Sequence, residues 1–268
     1  MRLKICLAVA CAAGSAHVHA DDWSANVGLK FSETKSTLDS NPSDGRSTYL
    51  NASLTRRLDA KTQLGGSISL GESKTNADLN RGRFSNDATS VAVFGVREIG
   101  SLRFLDLSLG YGKVMLDGDY RNAGVPVDFD TDTNFWTVGV GITQAFLLSP
   151  TLSATLNGRL SHSRSNSDAY RDSTPTRHGS DSSARTQASF GGGLNWRLGA
   201  WSPSAGIAYN RANQNLTRNV DDKDYFTVNL GVAYALTPKT RLNLGYAGVA
   251  GKSQSRENSL LTSISTSF

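Results

Sequence analysis

Cysteine is almost absent from this 268-residue chain, and both copies, Cys6 and Cys11, fall near its start. The rest can therefore form no disulfide, thiolate nucleophile or cysteine metal site. Ala8-Val9-Ala10-Cys11 lacks the leucine three residues before the cysteine that a lipoprotein processing site uses. Long apolar runs are missing too. Residues 5–13 are too short to cross a bilayer as a helix, which takes about 20 apolar residues, and nothing downstream reads as a helical span. The chain also lacks a strong charge of one sign, with 28 basic against 23 acidic residues. The basic residues are scattered, without a Lys/Arg run or an RNP-like motif, which argues against a nucleic-acid partner.

The first twenty residues have the layout of an export signal: Arg2 and Lys4, then the apolar stretch 5–13, then the small-x-small site Val18-His19-Ala20. The expected domain division is a signal peptide over 1–20 and one domain over 21–268. Without Arg2 and Lys4 the net charge falls from +5 to +3.

The dominant pattern after residue 21 has period two, the alternation of a strand whose faces differ. Trp23, Ala25, Val27, Leu29 and Phe31 alternate with Ser24, Asn26, Gly28 and Lys30, and Leu105, Leu107, Leu109 and Tyr111 alternate with Asp106, Ser108, Gly110 and Gly112. About twelve such ribbons follow one another, the last over residues 258–268. Only residues 89–99 have ambiguous facing, because Val91 and Val93 compete with Ala92, Phe94 and Val96; a bulge or a two-sided strand is expected there. Short turns are expected near Ala60, Gly100, Pro150, Ala200 and Pro238. Long polar loops are expected over 33–48, 73–88, 115–134, 163–184 and through Asp224, with a last one before the closing strand.

Half-apolar ribbons must bury one face, and no compact soluble core is legible. Lipid around a closed barrel solves this and leaves no unpaired strand edge. The expected fold class is all-β, a transmembrane antiparallel up-and-down β-barrel of about 12 strands in the bacterial outer membrane. Single-chain barrels of that membrane use even strand numbers, with short periplasmic turns and longer outer loops. Two aromatic belts are then expected: Trp23, Phe146, Trp196, Tyr234 and Phe268 near the turns, and Phe31, Tyr111, Trp136, Tyr209 and Phe226 near the loops.

Residues 230–240, LGVAYALTPKT, followed by Leu244-Gly245-Tyr246 and the terminal Phe268, resemble the last three strands of autotransporter-type β-domains, in which a Tyr-x-Leu-x-Pro turn, a Gly-Tyr strand and a final Phe recur. The resemblance implies insertion by the barrel-assembly machinery, which reads the terminal strand, here with Ile264 and Phe268 as the assembly signal. It also implies export of an N-terminal passenger. The first ribbon begins almost at the expected cleavage site, leaving no passenger and no room for the helix that plugs such barrels, so passenger secretion is not expected of this chain.

Inward positions are mostly Gly, Ser, Thr and Asn, with Lys30, Arg57, Arg159, Arg197 and Arg241 as cations and Asp106 as a rare acid. If the arginines meet water, they make an electropositive lumen suited to small anionic solutes; if they pair with acids, they brace a narrow barrel. The leading expectation is a small porin-like channel, in contact with outer-membrane lipid and lipopolysaccharide, without cofactor or metal and without enzymatic activity. One alternative is a surface adhesin or structural barrel acting through its loops. Another is a lipid hydrolase, for which His178-Gly179-Ser180 has the spacing of a base and nucleophile on one strand face. His162 is expected to face lipid and lacks such a serine. Asp128, Asp130 and Asp132 begin like a calcium loop, but Thr133 replaces the turn glycine and Gly139 the bidentate Glu, so an EF-hand is excluded.

Overall fold

The computed structural model describes residues 22–37, 42–78, 81–174, 176–214, 223–252 and 255–268. The expected signal peptide, both cysteines and the start at Asp21 lie outside the described residues. The alternating ribbons all form strands: β1 (Trp23–Ser36), β2 (Ser43–Arg57), β3 (Thr62–Ala77), β4 (Gly82–Gly100), β5 (Arg103–Asn122), β6 (Val125–Ser149), β7 (Leu152–Ser167), β8 (Tyr170–Arg171), β9 (Arg177–His178), β10 (Asp181–Trp196), β11 (Trp201–Gln214), β12 (Asp224–Ala235), β13 (Thr240–Ala250) and β14 (Ser255–Ser267). All but β8 and β9 join one closed antiparallel barrel of twelve strands, each pairing with its barrel neighbours in chain order. No described helix is long and apolar enough to cross a membrane.

The barrel closes where β1 meets β14, in one continuous register from Ser24↔Ser267 to Ser36↔Ser255. Trp23 and Phe268 extend that ladder by exchanging backbone hydrogen bonds of 3.2 and 2.9 Å. The terminal aromatic therefore sits beside the first strand, as the closing pattern requires.

Apolar residues do not form a buried core. The only described apolar side chains that are buried are Ala77, Val127, Ala212 and Tyr225, while Leu107 and Phe190 on the outer wall are 56% and 63% exposed. An outward band of such residues is stable only against lipid, because contiguous exposed apolar surface of that extent is not left to water. Trp201 and Tyr234 pack 4.5 Å apart at the turn end, and Tyr209 and Phe226 lie 5.6 Å apart at the loop end.

The turn end is built by side chains that cap their own backbone, a local alternative to ladder bonds. Asp59 accepts from Lys61 N at 2.7 Å. Ser149 Oγ accepts from Thr151 N and Leu152 N, and Thr237 Oγ1 from Lys239 N and Thr240 N.

At the other end the ribbons run well past the boundaries expected from composition. The stretch 115–134, expected as a loop, is the continuation of β5 and β6, strands of 20 and 25 residues. The two-residue turn Ala123-Gly124 joins them, with φ of +48° and +87°. Positive φ at both positions is the twist that suits a right-handed hairpin. Likewise β1 reaches Ser36, β2 starts at Ser43, β3 reaches Ala77 and β4 starts at Gly82. The reason is solvent: beyond the membrane both faces of a ribbon meet water, so the alternation vanishes while the backbone ladder persists.

In β4 the register is regular through the ambiguous residues and shifts only between Glu98 and Gly100. Val91 and Val93 pair with outward Tyr111 and Leu109, while Phe94 pairs with inward Ser108. The strand is therefore two-sided, and its irregularity lies at the turn.

Candidate functional site

The lumen is the site to which the sequence assigns its charged inward residues. Strand parity turns all six inward, but at two levels. Arg57 is the last residue of β2, Arg197 follows the last residue of β10, and Arg241 is the second residue of β13; these three sit at the turn-end mouth, and among the described residues no ion pair holds them. Deeper inside, Asp106, Gly141 and Arg159 occupy one rung across β5, β6 and β7. The Arg159 guanidinium pairs there with the Asp106 carboxylate and donates to Ser108 Oγ at 2.7 Å.

Glycine makes that contact possible. A Cβ on Gly141 would lie 2.2 Å from Asp106 Oδ1, and one on Gly139 would lie 2.6 Å from Arg159 Nη2. The two glycines leave a trough across β6 in which the pair lies. It borders a cavity of about 550 Å³ also lined by Phe94, Val96, Phe104 and Thr143. Lys30 is paired too, with Glu257 of β14 at 3.7 Å. Arg159 and Lys30 thus brace the wall against acids, while the mouth arginines keep their charge.

The pairs are nevertheless partly exposed. Arg159 and Asp106 side chains are 41% and 27% exposed, and Lys30 and Glu257 43% and 40%. A second cavity, of about 280 Å³, is lined by Thr143, Thr155, Asn157, Gly193, Gly206 and Asn229 among others. The inner wall of β10–β14 and β1 carries mainly small uncharged groups, which bond to each other: Asn26 to Ser263 at 3.3 Å, Asn243 to Ser263 at 3.2 Å and Ser32 to Ser259 at 2.9 Å.

Several lumen residues were not singled out in the sequence. Glu257 faces inward, on the parity of Ser259 and Ser263, and was lost in the last polar loop. Arg185, at the edge of another expected loop, points inward and donates to Gln187 Oε1 at 2.8 Å and Tyr225 Oη at 3.3 Å. Both obey the same alternation as the ribbons, and following it past the apolar positions would have found them.

Residues 168–173 fold onto the free edge of β6. Asp168 N donates to Asp132 O and Ser173 N to Asp128 O. The small ribbon β8–β9 is tied by Asp172, whose carboxylate accepts from Thr174 N and Oγ1, Thr176 N and His178 Nε2. The Thr174 hydroxyl, and then His178, hold that carboxyl down to a pKa of about 2. Tyr170 stacks on His178 at 4.5 Å and on Phe129 at 5.1 Å. His178 is therefore engaged with Asp172, and no hydrogen bond joins it to Ser180. Asp128 and Asp130 lie opposite Asp119 and Asp117 on the outer face of the β5–β6 ribbon, and Asp132 is paired to Lys113 at 2.5 Å. No group of three or more His, Cys, Asp or Glu among the described residues is placed to hold a metal. His162, on the outer wall as expected, bonds Thr186 Oγ1 at 2.9 Å.

The family model of the autotransporter β-domain matches residues 23–247. No curated protein matches the sequence. Among solved structures, the barrel is similar to the translocator domain of the autotransporter NalP from Neisseria meningitidis, with a TM-score of 0.82 and 14% identity over 97% of this chain and 93% of that one. It is similar also to the β domain of the Bordetella autotransporter BrkA, at 0.76 and 17% over 92% and 100%. The transport unit of AIDA-I from Escherichia coli superposes at 0.63 and 16% over 95% and 92%.

Proposed function

The chain belongs to the autotransporter β-domain family, and we propose that this outer-membrane barrel works as a narrow, water-filled pore for small solutes. The observation that carries this reading is the exposure of the inward charged side chains. In a packed interior, groups such as Asp106 and Arg159 would be sealed, whereas here each remains partly open to the lumen. Inside the wall the two ion pairs balance Lys30 and Arg159, so selectivity falls to the cations without an acid partner among the described residues, Arg185 within the lumen and, at its mouth, Arg57, Arg197 and Arg241. At the turn end, which this reading places in the periplasm, the last three form a ring of one sign that favours anions.

The test is single-channel recording of the purified full chain in planar bilayers. The expected result is small, steady conductance with anion preference that drops on Arg197→Gln. A barrel that conducts nothing would overturn the reading and favour a structural role for the tall outer ribbons.

A further inference from the structure

On the outer wall of β6, β7 and β10 one guanidinium has no acid to meet among the described residues. Arg164 points outward on the parity of Leu156 and Leu160, directly opposite Trp136 of β6 and Ala184 of β10. Its neighbours on that face are Asn134, Val138, His162, Asn166, Ser182 and Thr186, none of them an acid. The next outward carboxylate along β6 is Asp132, and Lys113 already holds it at 2.5 Å. Three other outward cations at this end do have acids: Arg46 meets Glu33 at 3.3 Å, Lys74 meets Glu72 at 2.9 Å and Arg211 meets Asp224 at 3.9 Å.

The height of Arg164 says what it faces. Leu160, half exposed in the lipid band, lies four residues below it, about 13 Å along the strand at about 3.3 Å per residue. Trp136 shares its rung and packs 5.4 Å from the His162 ring, and indole rings settle at the boundary between acyl chains and headgroups. A guanidinium at that boundary keeps its charge by meeting lipid phosphate, which it binds through two parallel N–H donors. Thr186 occupies Nδ1 of His162, which leaves Nε2 as the ring's other hydrogen-bonding atom.

We infer that this face is a binding site for a phosphate of the lipopolysaccharide lipid anchor. Arg164 grips the phosphate, His162 offers a second polar contact and Trp136 lies against the sugar and first methylenes. The loop end, with its tall polar ribbons, is the outer-leaflet side of the barrel, and in that leaflet lipopolysaccharide is the phosphate-bearing lipid. The site lies on the outer wall and does not depend on whether the lumen conducts.

The full chain, folded in neutral detergent and checked for a closed barrel by heat-modifiable gel mobility, is titrated with bisphosphorylated lipid A and followed by native mass spectrometry. Wild type retains the lipid. Arg164→Gln binds about ten-fold more weakly, the scale of one charge-assisted contact. Arg164→Lys is intermediate, because an ammonium keeps the charge and loses the fork, and His162→Asn shows a smaller loss. Arg56→Gln, which removes an outward guanidinium packed 5.5 Å over Trp23 at the opposite rim, binds as wild type. Wild-type affinity in Arg164→Gln, an equal loss in Arg56→Gln, or equal binding of dephosphorylated lipid A each overturns the site. Equal affinity for phosphatidylglycerol overturns its assignment to the glycolipid.

Discussion

Replacing Arg159 by Gln tests the electrostatics of the lumen without threatening the fold. The pair it forms with Asp106 is substantially open to water, and exposed pairs contribute only about 0.2–1 kcal/mol. The variant should therefore fold and insert as wild type does. Its effect appears in permeation, because Asp106 is left without its counter-charge on the wall beside the 550 Å³ cavity. A lone carboxylate about 5 Å from a passing ion in an aqueous lumen acts with about 0.8 kcal/mol. That enriches cations about four-fold and depletes anions about four-fold locally, a shift of roughly ten-fold or more in relative permeability. The assay is the reversal potential across a planar bilayer under a potassium chloride gradient, read at low and at high salt. The shift toward cations should be large near 0.1 M, where the screening length is about 10 Å, and nearly vanish near 1 M, where it is about 3 Å. The double variant Arg159→Gln/Asp106→Asn should return to wild-type selectivity. A reversal potential that Arg159→Gln leaves unchanged at low salt would refute the placement of this pair in the permeation path.

Other outcomes follow from the same geometry. Gly28→Ala sets a Cβ 2.8 Å from Ser263 Cβ and 3.0 Å from the Thr262 carbonyl; the backbone of β14 must shift, so the barrel should lose about 1–3 kcal/mol, read as a lower temperature for loss of heat-resistant gel mobility. The carboxyl of Asp172 is depressed from 3.8 to about 2, so its stabilisation of β8–β9 is full above pH 4 and lost as pH falls through about 2; hydrogen exchange at Thr174 and Thr176 should quicken over that window. At neutral pH, Asp172→Ala should open the same ribbon to trypsin at Arg171 and Arg177, with the remaining strands resisting. Ser180→Ala should change neither conductance nor lipid composition, and release of fatty acid by wild type that this variant abolishes would revive a hydrolase.

The barrel was legible wherever lipid imposes a contrast between two faces. β1, β5 and β14 could be read residue by residue, because Leu and Ser alternate only when one wall meets acyl chains and the other water. The signal failed in two situations. Above the membrane, Asp117, Asp119, Asp128 and Asp130 all belong to strands, yet nothing in their polarity distinguishes a ribbon from a loop when both faces are wet. Inside the barrel, Phe94 and Val96 point to the lumen and mimic an outward face; Phe94 fills the space left by Gly65 in the next strand, where a Cβ would stand 2.5 Å from the Phe94 ring. The candidate site was legible as a set of inward residues but not as a circuit. Sequence alternation turns Asp106 and Arg159 inward, whereas only the stagger of β5, β6 and β7 brings them to one rung over Gly141. Glu257, the partner that neutralises Lys30, lay beyond the last apolar position and carried no mark of its own.

The seam between β1 and β14 faces a problem that no other pair has, since no turn sets its register. Three features of the closed state do so instead. Trp23 and Phe268 exchange backbone bonds at one end, and Lys30 meets Glu257 toward the other. Between them Gly28 lies beneath Ser263 with no room for a larger neighbour. A slip of two residues keeps every apolar side chain facing lipid, so the hydrophobic pattern alone cannot reject it. In one direction it would bring Leu261 over Gly28 in place of Ser263 and carry Phe268 past Trp23, and in the other it would move Glu257 two residues further from Lys30. The terminal aromatic is thus one of three register marks, and the other two lie inside the lumen. The small and charged residues there serve closure as well as lining the lumen, which is why Gly28 is expected to weaken the barrel when enlarged while the Arg159 variant only retunes it.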